Sequence, residues 1–235
     1  MLAAGTGSRL QPLTDDSPKC LTEVNEITIL ERLVTNLRSK GFERLVVVVG
    51  HLESCVRDFL EGAAGDLKIE YVRSTKYRTT NNIYSLWTAR HVIREPFLLL
   101  ECDLIFDSAL LDNMLKPDRI AVSRILPWMN GTTVSLDDSH RVTSFHMDKE
   151  QPPDERTHKT VNIYSFSLPS WLRITQRLEE HISAGQVNGY YETVFAELVA
   201  EEDLSFDAVL FDHQRWYEID TLEDLLEAES LFRDK

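Results

Sequence analysis

Residues Met1 to Val24 read MLAAGTGSRLQPLTDDSPKCLTEV, and the interpretation of the chain starts from this stretch. A short apolar start leads into Gly5-Thr6-Gly7-Ser8-Arg9, and Lys19 follows ten residues after Arg9. Glycines after a strand let backbone amides approach an anion, because no Cβ stands in the way. Arg9 adds a planar fork for phosphate oxygens and Lys19 a mobile point charge. The stretch predicts a polyphosphate site. It is not a Walker A loop, and the glycines alone would also suit an ordinary strand-to-loop turn.

The composition indicates a globular protein with a strong negative charge. The 235 residues are 43% hydrophobic and 27% charged, and the formal net charge is −14. Nucleic-acid binding depends on a basic face, and an anionic membrane surface repels a negative protein. No apolar run approaches the ~20 residues that span a bilayer, and there is no signal-type segment. We therefore expect a cytoplasmic protein that binds neither nucleic acid nor membrane.

The cysteines Cys20, Cys55 and Cys102 show no CxxC spacing and no metal-ligand cluster. We interpret each as a small buried or half-buried residue. They therefore predict neither a metal site nor a nucleophile.

Apolar periodicity in the first half alternates between helices and buried strands. Predicted helices cover residues 29–40, 51–60 and 83–92, and predicted strands cover residues 45–49, 67–72 and 97–100. The unbroken run Leu45–Val49 is typical of a buried parallel strand. This alternation predicts βαβ units with ligands at the carboxyl ends of the strands.

Three polar turns follow these strands, where ligands are expected. They are Gly5-Thr6-Gly7-Ser8-Arg9 (the glycine loop), Gly50-His51 and Glu101-Cys102-Asp103. Asp103 suits Mg²⁺, a hard cation that neutralises phosphates and aligns a displacement. It could instead cap the following turn, and Glu101 and Asp107 are weaker candidates for a metal ligand. The pattern predicts one crevice formed by the three turns.

From Arg119 onward, short alternating strands are separated by turn residues. Strands are predicted at residues 120–125, 132–136, 141–146, 160–166 and 208–211, and helices at residues 168–183 and from Gly189 to about Ala200. We expect antiparallel or mixed strands that extend the sheet and cover the crevice. The Pro-rich stretch from Gln151 to Arg156 is interpreted as a flexible loop and a candidate lid.

The N-terminal stretch resembles LAAGxGxRLxPLTxxxPKxL, the signature of nucleotidyltransferases that load sugar phosphates and related compounds onto CTP, UTP or dTTP. The residues on this pattern are Leu2, Ala3, Ala4, Gly5, Gly7, Ser8, Arg9, Leu10, Pro12, Leu13, Thr14, Pro18, Lys19 and Leu21. The segment NNIYSL (81–86) is similar to that of the choline-phosphate and phosphonate cytidylyltransferases, and KTVNIY (159–164) is similar to a motif of the phosphonate-associated enzymes. The resemblance covers nearly the whole chain.

This resemblance implies an α/β fold: a Rossmann-like three-layer α/β/α arrangement with a mixed, mostly parallel central sheet. One nucleotidyltransferase domain would span residues 1–235, with a nucleotide-binding half at about 1–118 and an acceptor-binding half at about 119–235. Family members usually have a full strand before LAAG, and in this chain that strand is shorter. The chain therefore either has a truncated start or is a piece of a longer chain. Fusion to another pathway enzyme is one option for such a longer chain.

The resemblance places the nucleotide in the first half. Arg9 and Lys19 would act in catalysis by holding the β- and γ-phosphates of CTP. Other nucleotide-binding positions would be Leu2, Ala3, Ala4, Gly5, Thr6, Gly7, Ser8, Gly50, Asn82 and Ser85. The Asn82 amide can donate to cytosine O2 or accept from the exocyclic amine. Helix capping is the alternative for one residue of the Asn81-Asn82 pair.

A magnesium ion is the implied cofactor. WYEIDTLEDL (216–225) resembles the family segment whose aspartate supplies the second carboxylate, so Asp103 and Asp220 would share the ion. Two aspartates distant in sequence, each after a strand, suit a shared metal. Alternatively, Asp220, Thr221 and Glu223 form only the N-terminal box of a helix.

The acceptor would be held by the second half. Lys159 would position the attacking phosphonate or phosphate oxygen, although a solvated strand end is the alternative. Further acceptor-binding candidates are Asn130, Asn162, Tyr190, Glu192, Trp216 and Glu218, and Trp128 would also suit an aromatic cage. The phosphonate subgroup has a Met-Asp-Gly-Thr turn where this chain has Met129-Asn130-Gly131-Thr132. Loss of that carboxylate would favour a hydroxyl over an amine.

The implied reaction is transfer of CMP from CTP to 2-aminoethylphosphonate, 2-hydroxyethylphosphonate or phosphocholine, with release of pyrophosphate. The attacking oxygen is already anionic, so no general base is required. A sugar-1-phosphate nucleotidyltransferase using UTP or dTTP is one alternative, against which NNIYSL counts. A non-catalytic nucleotide-sensing or assembly domain is another, against which the retained Arg9, Lys19, Asp103 and Asp220 count. The oligomeric state and the pathway stay open.

Overall fold

The computed structural model describes residues 1–126, 129–147 and 155–233. The chain forms two compact units, each built from separate stretches of sequence. The first unit comprises Met1–Thr79, Leu100–Asp112 and Gln214–Lys235, and the second comprises Thr80–Leu99 and Asn113–His213. None of the described helices is long and apolar enough to cross a membrane.

The described residues form strands, α-helices and short 3₁₀ turns. The strands are β1 (Leu2–Ala3), β2 (Glu23–Val24), β3 (Ile27–Thr28), β4 (Arg44–Val49), β5 (Lys68–Arg73), β6 (Phe97–Leu100), β7 (Leu104–Phe106), β8 (Arg119–Arg124), β9 (Thr133–Leu136), β10 (Val142–His146), β11 (Thr157–Phe166), β12 (Asp207–Leu210) and β13 (Trp216–Glu218). The α-helices are α1 (Ile29–Ser39), α2 (Glu53–Ala63), α3 (Asn82–Thr88), α4 (Leu168–Ser183), α5 (Glu192–Ala200) and α6 (Leu222–Leu231).

The first unit is built on a parallel sheet in the order β1-β4-β5. Leu2 pairs with Val48 of β4 and also forms a parallel bridge with Glu101. The turns after β1 and β4 and the segment around Glu101 therefore leave the sheet at the same edge. Helix α1 begins where Thr28 Oγ1 accepts a hydrogen bond from the Glu31 amide, and it buries an apolar face.

The second unit contains a mixed sheet in the order β10-β9-β11-β8-β12, and β6 also pairs with β11. Strands β8, β9, β10 and β11 pair antiparallel, whereas β12 runs parallel to β8. Its core is aromatic, and the fully buried rings include Tyr164, Phe166, Tyr191, Phe195 and Phe206. Tyr164 and Phe195 meet edge-on at a centroid distance of 5.2 Å, whereas Tyr164 and Phe166 are stacked at 6.2 Å.

The predicted α/β class with a mixed sheet is confirmed, as are nearly all the predicted elements. Helix α2 begins at Glu53 rather than at His51, because Leu52 has a left-handed φ of 47°. The helix predicted at 83–92 ends at Thr88 and continues as a 3₁₀ turn. The helix predicted from Gly189 begins at Glu192. The candidate lid at 151–156, up to Asp154, and Trp128 lie outside the described residues.

Candidate active site

The glycine loop follows β1 in the first unit and requires glycine at position 7. Gly7 has a φ of 64°, and a Cβ there would lie 3.0 Å from Lys19 Cβ and 3.1 Å from Thr14 Cγ2. The Thr14 hydroxyl donates to the Gly7 carbonyl at 2.9 Å. Gly7 therefore allows the loop to turn directly against the segment that carries Lys19.

The loop offers backbone amides to an anion. Gly5, Thr6 and Ser8 are exposed. Within the described part of the chain, no amide of residues 5–8 donates to another protein group. Exposed amides at a turn of this kind can bind phosphate oxygens, as the sequence predicts.

Gly50 brings the turn after β4 against the end of β1. A Cβ at Gly50 would lie 2.8 Å from the Ala4 carbonyl oxygen and 2.9 Å from Tyr77 Cγ. The His51 amide donates to the same carbonyl at 3.1 Å. Only glycine fits this approach, which supports a structural role for Gly50 next to the loop.

Lys19 bridges the two aspartates that the sequence predicts as metal ligands. Its Nζ donates to Asp103 Oδ2 at 2.8 Å and to Asp220 Oδ1 at 2.7 Å. These side chains are largely buried, with exposed fractions of 12%, 14% and 21% for Lys19, Asp103 and Asp220. Residues 84 and 201 positions away from Lys19 are thus in one hydrogen-bonded cluster.

Arg9 completes this cluster from the solvent side. Its guanidinium donates to Asp220 Oδ1 at 2.8 Å, while its side chain is 69% exposed. Two cations and two carboxylates therefore balance one another beside the glycine loop. An exposed guanidinium can turn toward a bound phosphate at little cost, because a surface ion pair is weak.

Electrostatics favour a charged Lys19. Burial alone would lower the pKa of Lys19, but the charges of Asp103 and Asp220 and their hydrogen bonds outweigh it and raise the pKa above its ordinary value. Lys19 is therefore an ammonium ion at neutral pH, as a phosphate-binding role requires.

The donor set fits a divalent cation that is also bound by phosphates. Asp103 Oδ1 is buried and has no hydrogen-bond partner among the described residues, so it can serve as a ligand. The described residues contain no group of three or more His, Cys, Asp or Glu side chains with metal-binding geometry. Two carboxylates suit Mg²⁺, which usually takes few protein ligands and completes its shell with phosphates and water.

The start of α6 holds Asp220 in place. Thr221 caps this helix, and the Asp224 carboxylate accepts from the Thr221 amide at 2.8 Å and from the Asp220 amide at 3.1 Å. The predicted N-terminal box exists, but its second member is Asp224 rather than Glu223, because Asp224 occupies the third helical position. The Ile219 amide also donates to the Asp103 carbonyl at 3.0 Å, which ties the two metal-ligand candidates together.

The cysteines near this cluster are not reactive groups. Cys20 is buried and Cys102 half-buried. A hydrogen bond with the Cys20 thiol, followed by burial, raises the pKa of Cys102 well above its ordinary value. Cys102 therefore remains a thiol, and the burial of Cys20 agrees with its interpretation as a packing residue.

Trp216 and Glu218 lie on β13, opposite Phe106 and Leu104 of β7. Trp216 is 7% exposed and Glu218 half-buried. Their proposed role as acceptor contacts stays a prediction.

In the second unit, Lys159 is almost fully buried on β11. Its Nζ donates to the Thr160 carbonyl at 2.6 Å, and a Cβ at Gly131 would lie 3.5 Å from that nitrogen. The turn formed by Asn130 and Gly131 therefore lies against the Lys159 ammonium. The alternative of a solvated lysine at the strand end is wrong, because Lys159 is 3% exposed.

Asn162 is joined to this group through Thr160. Asn162 has a left-handed φ of 59° inside β11, and its Oδ1 lies 3.1 Å from Thr160 Oγ1. The Thr160 hydroxyl also reaches the Thr132 carbonyl at 3.0 Å. Neither threonine is predicted as a functional residue, because a buried threonine carries no distinguishing sequence signal.

The pair Asn81-Asn82 has two distinct roles. Asn81 caps α3 by accepting from the Asn82 amide at 2.8 Å. The Asn82 side-chain oxygen accepts from the Tyr191 amide at 3.0 Å. Ser85 lies one turn further along the same helix and is 6% exposed.

The remaining acceptor candidates of the second unit have different environments. Tyr190 is 53% exposed, whereas Glu192 is 4% exposed and its Oε1 accepts from the Tyr164 hydroxyl at 3.4 Å. Asn130 is exposed. Glu192 thus contacts the aromatic core, and Tyr190 is open to solvent.

Comparison with known proteins shows which family and which proteins this chain resembles. A family model described as the MobA-like NTP transferase domain matches residues 1–126. The chain is 31% identical to the CMP-5'-(3-aminopropyl)phosphonate synthase of Streptomyces rubellomurinus, across 99% of this chain and 38% of that protein. The chain thus spans 38% of the length of that relative.

Two further proteins match over nearly their whole length. The chain is 27% identical to the 2-aminoethylphosphonate cytidylyltransferase of Lancefieldella rimae, across 96% of this chain and 89% of that protein. Among solved structures, the CTP:phosphocholine cytidylyltransferase of Streptococcus pneumoniae superposes with a TM-score of 0.85 at 21% identity, covering 99% of this chain and 97% of that one. At this identity the superposition shows the shared fold.

Proposed function

Because this chain belongs to the family of MobA-like NTP transferase domains, we propose that it transfers CMP from CTP to a small phosphonate or phosphate monoester and releases pyrophosphate. The observation that carries the proposal is the cluster beside the glycine loop. There, Lys19 contacts Asp103 and Asp220 at 2.8 and 2.7 Å, and Arg9 contacts Asp220 at 2.8 Å.

The phosphate-binding part of the proposal rests on the loop and its two cations. The amides of residues 5–8, the Arg9 guanidinium and the Lys19 ammonium would bind the β- and γ-phosphates. Binding there stabilises the negative charge that develops on the departing pyrophosphate. Because no proton has to be removed from the anionic acceptor oxygen, alignment and charge neutralisation supply most of the acceleration.

Nucleotidyltransferases generally use Mg²⁺, and Asp103 and Asp220 would hold it in this chain. When bound, the ion supplies charge neutralisation at the phosphates. Asp103 Oδ1, which is buried and has no hydrogen-bond partner among residues 1–126, 129–147 and 155–233, supports this assignment. The contribution of the protein is to fix both carboxylates, through the Ile219 amide and through the Asp224 cap.

Asn82 would read the base. The Tyr191 amide engages the Asn82 side-chain oxygen at 3.0 Å, which orients the amide group. Its NH₂ group would then donate to cytosine O2, and Ser85 would line the same end of the nucleotide. This assignment favours CTP over ATP, because adenine has no oxygen at the corresponding position.

Lys159 would bind the acceptor's phosphonate or phosphate, supported by Asn162 and by the turn at Asn130. An oxygen of that group attacks the α-phosphorus of CTP, and the bond from this phosphorus to the pyrophosphate oxygen breaks. Two relatives are named for amine-bearing phosphonates, which makes an amine head group one candidate. A hydroxyl head group is the other. Asn130 lacks a carboxylate for an amine, whereas Glu192, Glu218, Tyr190 and Trp216 would provide charge or aromatic surface for a cation. We expect the reaction to take place in the cytoplasm.

Pyrophosphate release with Mg²⁺ tests the proposal. CTP, UTP, dTTP and ATP are crossed with 2-aminoethylphosphonate, (3-aminopropyl)phosphonate, 2-hydroxyethylphosphonate, phosphocholine and glucose-1-phosphate. We expect turnover with CTP and at least one phosphonate or phosphocholine. Turnover confined to glucose-1-phosphate with UTP or dTTP would replace the proposal by a sugar-phosphate reaction. CTP binding without turnover on any acceptor would favour a nucleotide-sensing domain.

A further inference from the structure

Thr160 is a fully buried residue at the centre of the polar group around Lys159. Its carbonyl accepts from the Lys159 ammonium at 2.6 Å. Its amide and its hydroxyl both reach the Thr132 carbonyl, at 3.1 and 3.0 Å. The backbone and the side chain of one residue therefore connect β11 to the turn that contains Gly131.

A bulge in β11 begins at this residue. Thr160 pairs with Val122 of β8, and the next pair is Tyr164 with Ile120, so β11 has two more residues than its partner between these pairs. Asn162 lies within the bulge at a φ of 59°. A left-handed residue inside a strand is strained, and surrounding contacts must hold it in place. Thr160 Oγ1, 3.1 Å from Asn162 Oδ1, is one such contact.

The hydroxyl of Thr160 has one proton and two neighbouring oxygens. If it donates to the Thr132 carbonyl, the Asn162 amide must present its NH₂ group to Thr160; if it donates to Asn162, the oxygen faces Thr160 and the NH₂ group is directed elsewhere. Either way, the hydroxyl determines which end of the Asn162 amide faces away from Thr160.

We propose that Thr160 is a positioning residue for the acceptor: it fixes the Lys159 ammonium, the Asn162 amide and the turn at Gly131 relative to one another. This inference rests on the proposed function, in which Lys159 binds the phosphonate or phosphate of the acceptor. Thr160 itself is fully buried and acts through its neighbours. Its removal therefore changes the binding of the acceptor and leaves the binding of CTP unchanged.

The test compares three variants with the unchanged protein. Thr160→Val keeps the shape and removes the hydroxyl, and Thr160→Ser restores the hydroxyl. Ser165→Ala is the matched control, because Ser165 is also buried on β11 and its hydroxyl donates to the Lys116 carbonyl and accepts from the Arg119 amide. Steady-state kcat and KM are measured for CTP and acceptor. Calorimetry with methylphosphonate, which has the phosphonate group and no head group, measures binding without turnover.

We expect Thr160→Val to raise the KM of the acceptor and the Kd of methylphosphonate about tenfold, the effect of losing about one hydrogen bond. The KM of CTP stays within about twofold, Thr160→Ser recovers most of the loss, and Ser165→Ala matches the unchanged protein. Equal values for Thr160→Val and the unchanged protein would overturn the inference. So would a parallel rise in both KM values, since that indicates general destabilisation.

The same measurements separate the inference from the proposed function. If the protein binds methylphosphonate in a Thr160-dependent way but releases no pyrophosphate with any acceptor, the positioning role stands and the proposed reaction falls. If turnover is normal and insensitive to Thr160→Val, the proposed reaction stands and the positioning role falls.

Discussion

The Lys19 ammonium lies 2.8 Å from the Asp103 carboxylate, although the two residues are 84 positions apart in sequence. This contact joins the N-terminal signature to the turn after β6. A candidate phosphate-binding cation and a candidate metal ligand thus share one hydrogen bond. Changes at either residue are expected to affect both the nucleotide and the metal.

Replacing Asp103 by Asn should abolish turnover and leave the fold intact. The amide keeps the shape but loses the charge that would bind the cation, and loss of several kcal/mol of transition-state stabilisation lowers kcat at least about a hundredfold. Pyrophosphate release and thermal unfolding provide the two measurements. Asp112→Asn is the control, because Asp112 pairs with Lys40 and is 58% exposed. Full activity in Asp103→Asn would remove the metal assignment.

Replacing Lys19 by Met should increase the affinity of the nucleotide-free protein for Mn²⁺, used as a spectroscopic probe for Mg²⁺. The Lys19 ammonium hydrogen-bonds one oxygen of each aspartate, so its positive charge repels a cation bound by the same two carboxylates. We expect a gain of about 5- to 150-fold, the usual range of coupling between two sites. Paramagnetic resonance of free Mn²⁺ measures the affinity.

Lys40→Met serves as the matched control for Lys19→Met. Lys40 is a lysine of similar exposure, 17%, and binds Asp112. Its replacement should leave Mn²⁺ affinity unchanged. An unchanged or weaker affinity in a folded Lys19→Met protein would contradict the repulsion between the ammonium and the metal. Turnover should also fall in Lys19→Met, because the phosphates would lose the Lys19 ammonium.

Gly50→Ala should destabilise the protein, whereas Gly62→Ala should stabilise it. A Cβ at Gly50 would lie 2.8 Å from the Ala4 carbonyl oxygen, a backbone atom that cannot move alone, and overpacking costs about 1–3 kcal/mol. Gly62 is inside α2 with nothing within 4 Å of its Cβ position, so alanine gains about 0.5–1 kcal/mol in helix propensity. Urea unfolding of both variants measures the difference. Equal stabilities would refute the close approach at Gly50.

The phenol of Tyr217 should lose its proton at a higher pH than an ordinary tyrosine does. Burial, the charges of Asp224 and Glu227, and a hydrogen bond with Asp224 raise the pKa of Tyr217 to about 12. The ordinary value in an unfolded chain is about 10, so the folded state holds this proton more tightly. The resulting stability is present below about pH 10 and is lost as the pH rises through about 12. Absorbance at alkaline pH should show a late step that disappears in Tyr217→Phe. If the titration step that disappears in Tyr217→Phe lies near pH 10, the raised pKa of Tyr217 is contradicted.

Much of the fold is predictable from local sequence. Helix α4 has the predicted bounds because Ser167 caps it, Pro169 suits its first turn and an apolar stripe follows. The hairpin β2–β3 and the pair β7–β13 are not predictable in this way, since strands of two or three residues show no periodicity. The family match over residues 1–126 confirms the resemblance seen in the N-terminal signature.

The site is predictable in its residue types and less so in its contacts. The signature and its distant aspartates predict that Arg9, Lys19, Asp103 and Asp220 act together. The structure brings these four side chains into contact, and their joint role stays a prediction. The role of Thr160 depends on a bulge and on a left-handed Asn162. Asparagine adopts that conformation in many contexts, so the sequence alone does not reveal it.

The cap on α6 has a consequence for where the chain can tolerate insertions or cuts. The Asp220 amide is held by Asp224, so the second carboxylate is positioned by the last described helix. A fragment ending at residue 126 would keep the glycine loop, Lys19 and Asp103 but lose this carboxylate. Added residues between Ile219 and Asp224 would shift it directly. Evolutionary change in loop length is therefore expected to avoid these few positions, even though they lie far from the signature in sequence.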